Sequence, residues 1–160
     1  MKLIIGVLAV TMAAAQTQPQ CEKGLFLEPF WFPPGPFAVG PVHNFTSSNT
    51  DCNDASEARC EANAIEDFEQ WSQSTSLTDR RPNDPQSRTW GQYFCDEGRR
   101  LWNIAPDEPE AVNAEVEGWS RIIDHSGQNP ACEEYDDWAF VTDNPRKLLC
   151  CNQVGTHVDC

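Results

Sequence analysis

Hydrophobic residues in the central part of this chain recur at spacings of three and four, which predicts helices. In DASEARCEANAIEDFEQW, Ala58, Ala62, Ile65, Phe68 and Trp71 fall on one side of a helix, and Asp54 and Glu57 are placed as a capping box at its start. A second helix is predicted through QSRTWGQYFCDEGRRLWNI, with Trp90, Phe94, Leu101 and either Ile104 or Trp102 turned inward. A third covers DEPEAVNAEVEGWSRIIDHSG: Pro109 suits its first turn, Val112, Val116, Trp119 and Ile123 form a stripe, and Gly127 closes it. A shorter fourth starts at Asn129-Pro130 and carries Cys132, Tyr135 and Trp138 or Ala139. No stretch reads as a long alternation of apolar and polar residues, so strands are expected to be minor. The expected fold is mainly α, a small disulfide-stapled bundle of three to four helices.

Ahead of the helices the pattern changes. LFLEPFWFPPGPFAVGPVHNFT interleaves aromatics with Pro29, Pro33, Pro34 and Pro36. Proline fixes φ and removes a backbone donor, so this stretch predicts an extended, Pro/aromatic-rich N-terminal arm and neither a helix nor a central strand. Its aromatics are expected to pack over the core as a lid. The competing use is a partner surface made of Phe30, Trp31, Phe32 and Phe37. Between the first two helices SQSTSLTDRRPNDPQS is polar and proline-broken, an exposed loop. Arg80-Arg81 within it suits a precursor cleavage site poorly, because Pro82 follows directly.

The start of the chain supplies an address. Lys2, the apolar run LIIGVLAVTM and the small residues Ala13–Ala15 have the layout of a secretory leader over 1–15, too short to span a bilayer. The expected product is a single secreted domain, 16–160, divided into an arm (16–50), helices (51–142) and a disulfide-anchored C-terminal segment (143–160). All eight cysteines lie in it: Cys21, Cys52, Cys60, Cys95, Cys132, Cys150, Cys151 and Cys160. An even count in an exported chain reads as four disulfides, and the spacing does not choose among the pairings. Cys52 and Cys60 are not expected to bond each other, since the predicted helix separates them by about two turns. Adjacent Cys150 and Cys151 should bond different partners, because neighbouring side chains of an extended segment point to opposite sides. Asn44-Phe45-Thr46 is the one N-x-[ST] sequon, a candidate glycan site on a surface loop.

Charge changes the list of partners. The formal net charge is −14, and −15 once Lys2 leaves with the leader. Such a surface disfavours nucleic acid and anionic membrane. Glu133, Glu134, Asp136 and Asp137 crowd four carboxylates into five residues, and Glu108 with Glu115 and Glu110 with Glu117 share sides of the predicted third helix. These rows read first as solvated faces; their competing use is weak, diffuse calcium binding. No other cofactor and no metal cage is expected.

Signatures of chemistry are scarce. HExxH, GxSxG and a Walker loop are absent, and NTDCNDASEARC fails as a calcium loop because Asp54 stands where glycine is needed and Cys60 where glutamate is. The ending CCNQVGTHVDC sets His157 and Asp159 beside cysteines, but no nucleophile or oxyanion donor accompanies them, so it reads as a clasp with His157 and Asp159 hydrogen-bonded on one side. The functional expectation is a monomeric, non-enzymatic extracellular protein with a structural or interaction role, its partner a protein, mineral or matrix component. The alternatives are a secreted toxin, effector or apolar-ligand carrier using the aromatic arm, and a small secreted hydrolase.

Overall fold

Residues 112–123, VNAEVEGWSRII, decide the architecture, and they do so as a strand. The sequence satisfies two periods at once. Val112, Val116, Trp119 and Ile123 fit a helical stripe, whereas Val112, Ala114, Val116, Gly118, Ser120 and Ile122 fit one face of a strand. The second set is the one that is buried against the helices. Its β-branched content and the pairing partners on both sides favour extended backbone over a third helix.

The structure is a computed structural model and describes residues 18–30, 41–105, 107–108 and 111–160. Over these residues the chain is mainly β, a curled antiparallel sheet carrying two helices, and not a bundle of three to four helices. The elements in chain order are β1 (Gln20–Pro29), β2 (His43–Asn44), β3 (Ser48–Asn49), α1 (Asp54–Ser74), α2 (Trp90–Leu101), β4 (Val112–Ile123), a single 3-10 turn (Pro130–Cys132), β5 (Ala139–Cys151) and β6 (His157–Val158). The sheet runs β2-β1-β4-β5-β6, with β3 also on β1. The stretch expected as an arm therefore begins as an interior strand: β1 pairs along its whole length with β4 and meets β2 and β3 on its other edge. Pro29 ends it, where a missing donor does no harm. The expected fourth helix is reduced to the 3-10 turn, and β5 follows where an anchored tail was expected from 143. The expected leader at 1–15, and Trp31, Phe32 and Phe37, lie outside the described residues.

The first two helical readings hold. In α1 the cap is Asn53, whose side chain accepts from the Ser56 amide, one position ahead of the expected box. The buried stripe is Ser56, Cys60, Ala64, Phe68 and Trp71, while Ala58 and Ala62 face solvent. In α2, Thr89 caps the start by accepting from the Gln92 amide, and Arg99 and Arg100 occupy the last turn, where cations suit the helix dipole. Both helices lie on one face of the sheet, and Phe68, Trp71, Trp90 and Phe94 fill the space above Leu25, Leu27, Val112, Ala114, Val116 and Leu149. Each fully buried side chain of this size contributes about 1.5–3 kcal/mol of transfer free energy.

Four disulfides pin the layers together. Cys21–Cys60 ties β1 to α1, Cys95–Cys151 ties α2 to β5, Cys52–Cys132 ties the entry of α1 to the 3-10 turn, and Cys150–Cys160 closes the C-terminal hairpin. Cys150 and Cys151 thus serve opposite sides of β5. The end of the chain is held further by the His157 amide, which donates to the Gln92 side chain. The His157 ring lies against Gly91 of α2 and not in the expected pairing with Asp159: a Cβ on Gly91 would overlap the ring. Gly91→Ala is therefore expected to lower stability by about 1–3 kcal/mol, the usual cost of overpacking. Urea unfolding checks it, and adding His157→Ala to that variant should recover part of the loss.

Candidate functional site

The alternation that buries one face of β4 puts Asn113, Glu115, Glu117, Trp119 and Arg121 on the other, away from the helices. From β1 this second face receives Glu22, Gly24, Phe26 and Glu28, through the register Glu22↔Arg121, Gly24↔Trp119, Phe26↔Glu117 and Glu28↔Glu115. At one end the charges are matched. Arg121 donates to Glu22 at 2.8 Å, His125 meets the other Glu22 oxygen at 2.8 Å, and the Arg121 guanidinium also lies 4.7 Å from the ring centre of Trp138.

At the other end the acids outnumber the cations. Glu28 and Glu115 are direct cross-strand neighbours, an arrangement that costs stability when both are charged. Glu117 is only 6% exposed. It accepts from the Trp119 indole N–H at 3.0 Å, and Glu28 on the neighbouring strand favours its protonated form. Burial, reinforced by Glu28 and Glu115, pushes the Glu117 carboxyl up to about 8. Burial also raises Glu115, opposed by Arg146, whose Nε lies 2.7 Å from it, and reinforced by Asp143 and Glu28. Glu115 and Asp143 thus share one guanidinium, and Glu28 and Glu117 are the acidic neighbours of Glu115.

An irregularity of the sheet makes room for this cluster. The β4–β5 ladder pairs Val116 with Lys147 and then Gly118 with Thr142, so two steps along β4 are matched by five along β5. Residues 143–146 arch out of the ladder beside Glu117 and carry Asp143 and Arg146 over the acids. Bulges of this kind re-aim side chains and are frequent beside functional sites. Beside the acids runs an aromatic row: Trp138 and Phe26 with ring centres 5.0 Å apart, Phe26 and Trp119 at 5.3 Å, Trp119 and Phe140 at 5.8 Å. Phe26 is fully buried, Trp119 half-buried and Phe140 exposed.

The chemistry open to this arrangement is narrow. Among the described residues no group of three or more His, Cys, Asp or Glu side chains is arranged to hold a metal ion. What remains is exchange of the Glu117 proton for another cation, beside aromatic faces that attract cations.

The residues singled out in the sequence are placed elsewhere. Glu133, Glu134, Asp136 and Asp137 are exposed after the 3-10 turn, where Asp136 meets Arg121 at 3.4 Å. The Cys52–Cys132 bond brings this segment to the start of α1; there burial first, then Glu61, Asp54 and Glu134, raises Glu57, and Tyr135 donates to Asp54 at 2.7 Å. Phe30 is exposed at the end of β1. Asn44 and Thr46 are exposed, with Phe45 between them turned toward the core, so the sequon is presented at the sheet edge. The helical reading of the sequence sets the acids of the second face on sides shared with Glu108 and Glu110. In the strand, Glu115 and Glu117 are instead next-but-one neighbours on one buried face, and Glu110 is outside the described residues. The signal that finds them is the period-two reading of VNAEVEGW, which puts two acids and a tryptophan on one side. Comparisons with protein-family models, curated proteins and solved structures found no match.

Proposed function

We propose that this is an exported protein that captures a small organic cation, an ammonium carried on an aromatic or short alkyl frame, on the acid and aromatic face of its sheet. The observation that carries the reading is Glu117: a buried carboxyl beside Phe26 and Trp119, at the point where β5 leaves the ladder, with two further acids as neighbours. A buried carboxylate is costly unless a cation accompanies it, and here a proton fills that role. An incoming ammonium would replace the proton, and Trp119 and Phe140 would cover its hydrocarbon part. Four disulfides suit an extracellular setting. The role belongs to the carrier class and moves the binding surface from the N-terminal arm to the sheet. No observation on the described residues favours a mineral or matrix partner over it.

Calorimetry with phenethylamine and its neutral counterpart phenethyl alcohol tests this at pH 8. The amine is expected to bind and the alcohol to bind at least about tenfold more weakly, as for a charge-assisted contact worth about 1.5–3 kcal/mol. Equal binding of the two would reduce the face to an apolar patch; binding of neither would leave Glu117 as a protonated structural carboxyl between β1 and β4.

A further inference from the structure

The bulge of β5 delivers a cation to the acid cluster from outside. Arg146 is 67% exposed, yet its Nε reaches Glu115, which is buried, at 2.7 Å, and Asp143 at 3.3 Å. Most of the side chain, as its exposure shows, remains in solvent. A guanidinium bound firmly to a carboxylate presents two N–H groups to two oxygens; contact through Nε on a largely exposed side chain is the weaker form. Arg146 also stands in the stretch 143–146 that the β4–β5 ladder skips, so no strand pairing fixes its position. Two other guanidinium groups are built in differently: Arg88 takes both Asp84 oxygens and Asp96, and Arg121 is held by Glu22 through two nitrogens.

We propose that Arg146 is a tethered competitor for the ligand's cationic group, resting on Glu115 while the face is empty and swinging into solvent when an ammonium enters. The proposal rests on the reading of this face as a cation site. It gives the bulge a task. A buried acid cluster with no resident cation would take up any small cation present, whereas a weakly seated guanidinium raises the threshold and favours ligands that add aromatic contact. The class admitted is thus a cation with an attached ring or chain, and bare inorganic cations are excluded.

Arg146→Gln, with Arg146→Lys as the charge-preserving control, tests it in two arms. In the first, calorimetry with phenethylamine at pH 8 is expected to show Arg146→Gln binding about three- to fivefold more tightly than the wild type, the range set by an exposed ion pair, with Arg146→Lys between them. In the second, millimolar guanidinium chloride, against equal sodium chloride, is expected to raise the melting temperature of Arg146→Gln and to leave the wild type unmoved, because free guanidinium fills the vacated place. If the wild type binds the amine and Arg146→Gln gains nothing, the competitor role falls while the reading of the face stands. If neither binds, the reading of the face falls and the second arm decides: a shift confined to Arg146→Gln keeps Arg146 as resident cation, and no shift removes it.

Discussion

Between pH 5 and pH 8 the wild-type protein is expected to lose stability, and Glu117→Gln is expected to abolish most of that loss. The sign follows from linkage. The Glu117 carboxyl stands at about 8 in the folded chain, against an ordinary value of 4.5. The native state therefore holds a proton that the unfolded state has released, and its contribution is full below about pH 4.5, declines as pH rises and is gone above about pH 8. One pKa step is about 1.36 kcal/mol, and solvent reaching the cluster past the exposed Asp143 and Arg146 screens the full shift, so a loss on the order of 1–3 kcal/mol is expected. That corresponds to about 4–10 °C of melting temperature for a chain of this size. Glutamine keeps an oxygen for the Trp119 indole and offers N–H to Glu28 without ever charging. Every ionisable group facing this carboxyl, Glu28 from β1, Glu115 from β4, and Asp143 and Arg146 from the bulge, is retained in the variant. Other groups shape the raw curve. Asp84, held down to about 2 by Arg88, lends stability that disappears between about pH 4 and pH 2, and His43, lowered by burial and Arg81, opposes Glu117 below its ordinary value of 6.5. The difference between wild type and Glu117→Gln removes both. Parallel melting curves for the two proteins would show that Glu117 keeps no unusual proton.

Replacing Cys95 and Cys151 together by alanine is expected to damage the scaffold far more than replacing Cys150 and Cys160. The bond crosses the core between α2 and β5, both sulfurs are buried, and it spans a sequence separation of 56. Loop-closure entropy for a span of that length is worth about 4 kcal/mol, and lost packing adds to it. Cys150–Cys160 spans 10 residues within an exposed hairpin, where the same argument gives about 3 kcal/mol at most and a local opening relieves it. Thermal unfolding of the two double variants should place Cys95→Ala/Cys151→Ala well below Cys150→Ala/Cys160→Ala. Equal melting temperatures would mean that α2 is held to the sheet chiefly by Trp90, Phe94 and the Gln92–His157 contact.

The helices and the four disulfides were legible in the sequence, the sheet was not, and the reason is local. Phe68, Trp71, Trp90 and Phe94 sit at helical spacing and have no competing period. In VNAEVEGWSRII the two periods share Val112 and Val116, and only pairing with β1 and β5 decides between them. β1 was obscured because GLFLE is apolar almost without interruption: Leu25 and Leu27 serve the helical core, while Phe26, between them, serves the acid face. Proline after Glu28 then made the whole region read as an arm. β5 was obscured by its own bulge, since DNPR reads as a turn inside a strand. The candidate site was lost with β4, because on a helix Glu115 and Glu117 point apart, and on a strand they point together.

The proton is also the most direct handle on the account as a whole. Burial and its acidic neighbours raise the Glu117 carboxyl to about 8, so at pH 7 the protonated form predominates. An ammonium that takes the proton's place must expel it. Calorimetry of phenethylamine binding at pH 7, repeated in buffers of different ionisation enthalpy, counts the protons released. The account predicts close to one proton per amine bound for the wild type and none for Glu117→Gln. Amine binding without proton release in the wild type, or undiminished release in the variant, would contradict a cation site built around Glu117.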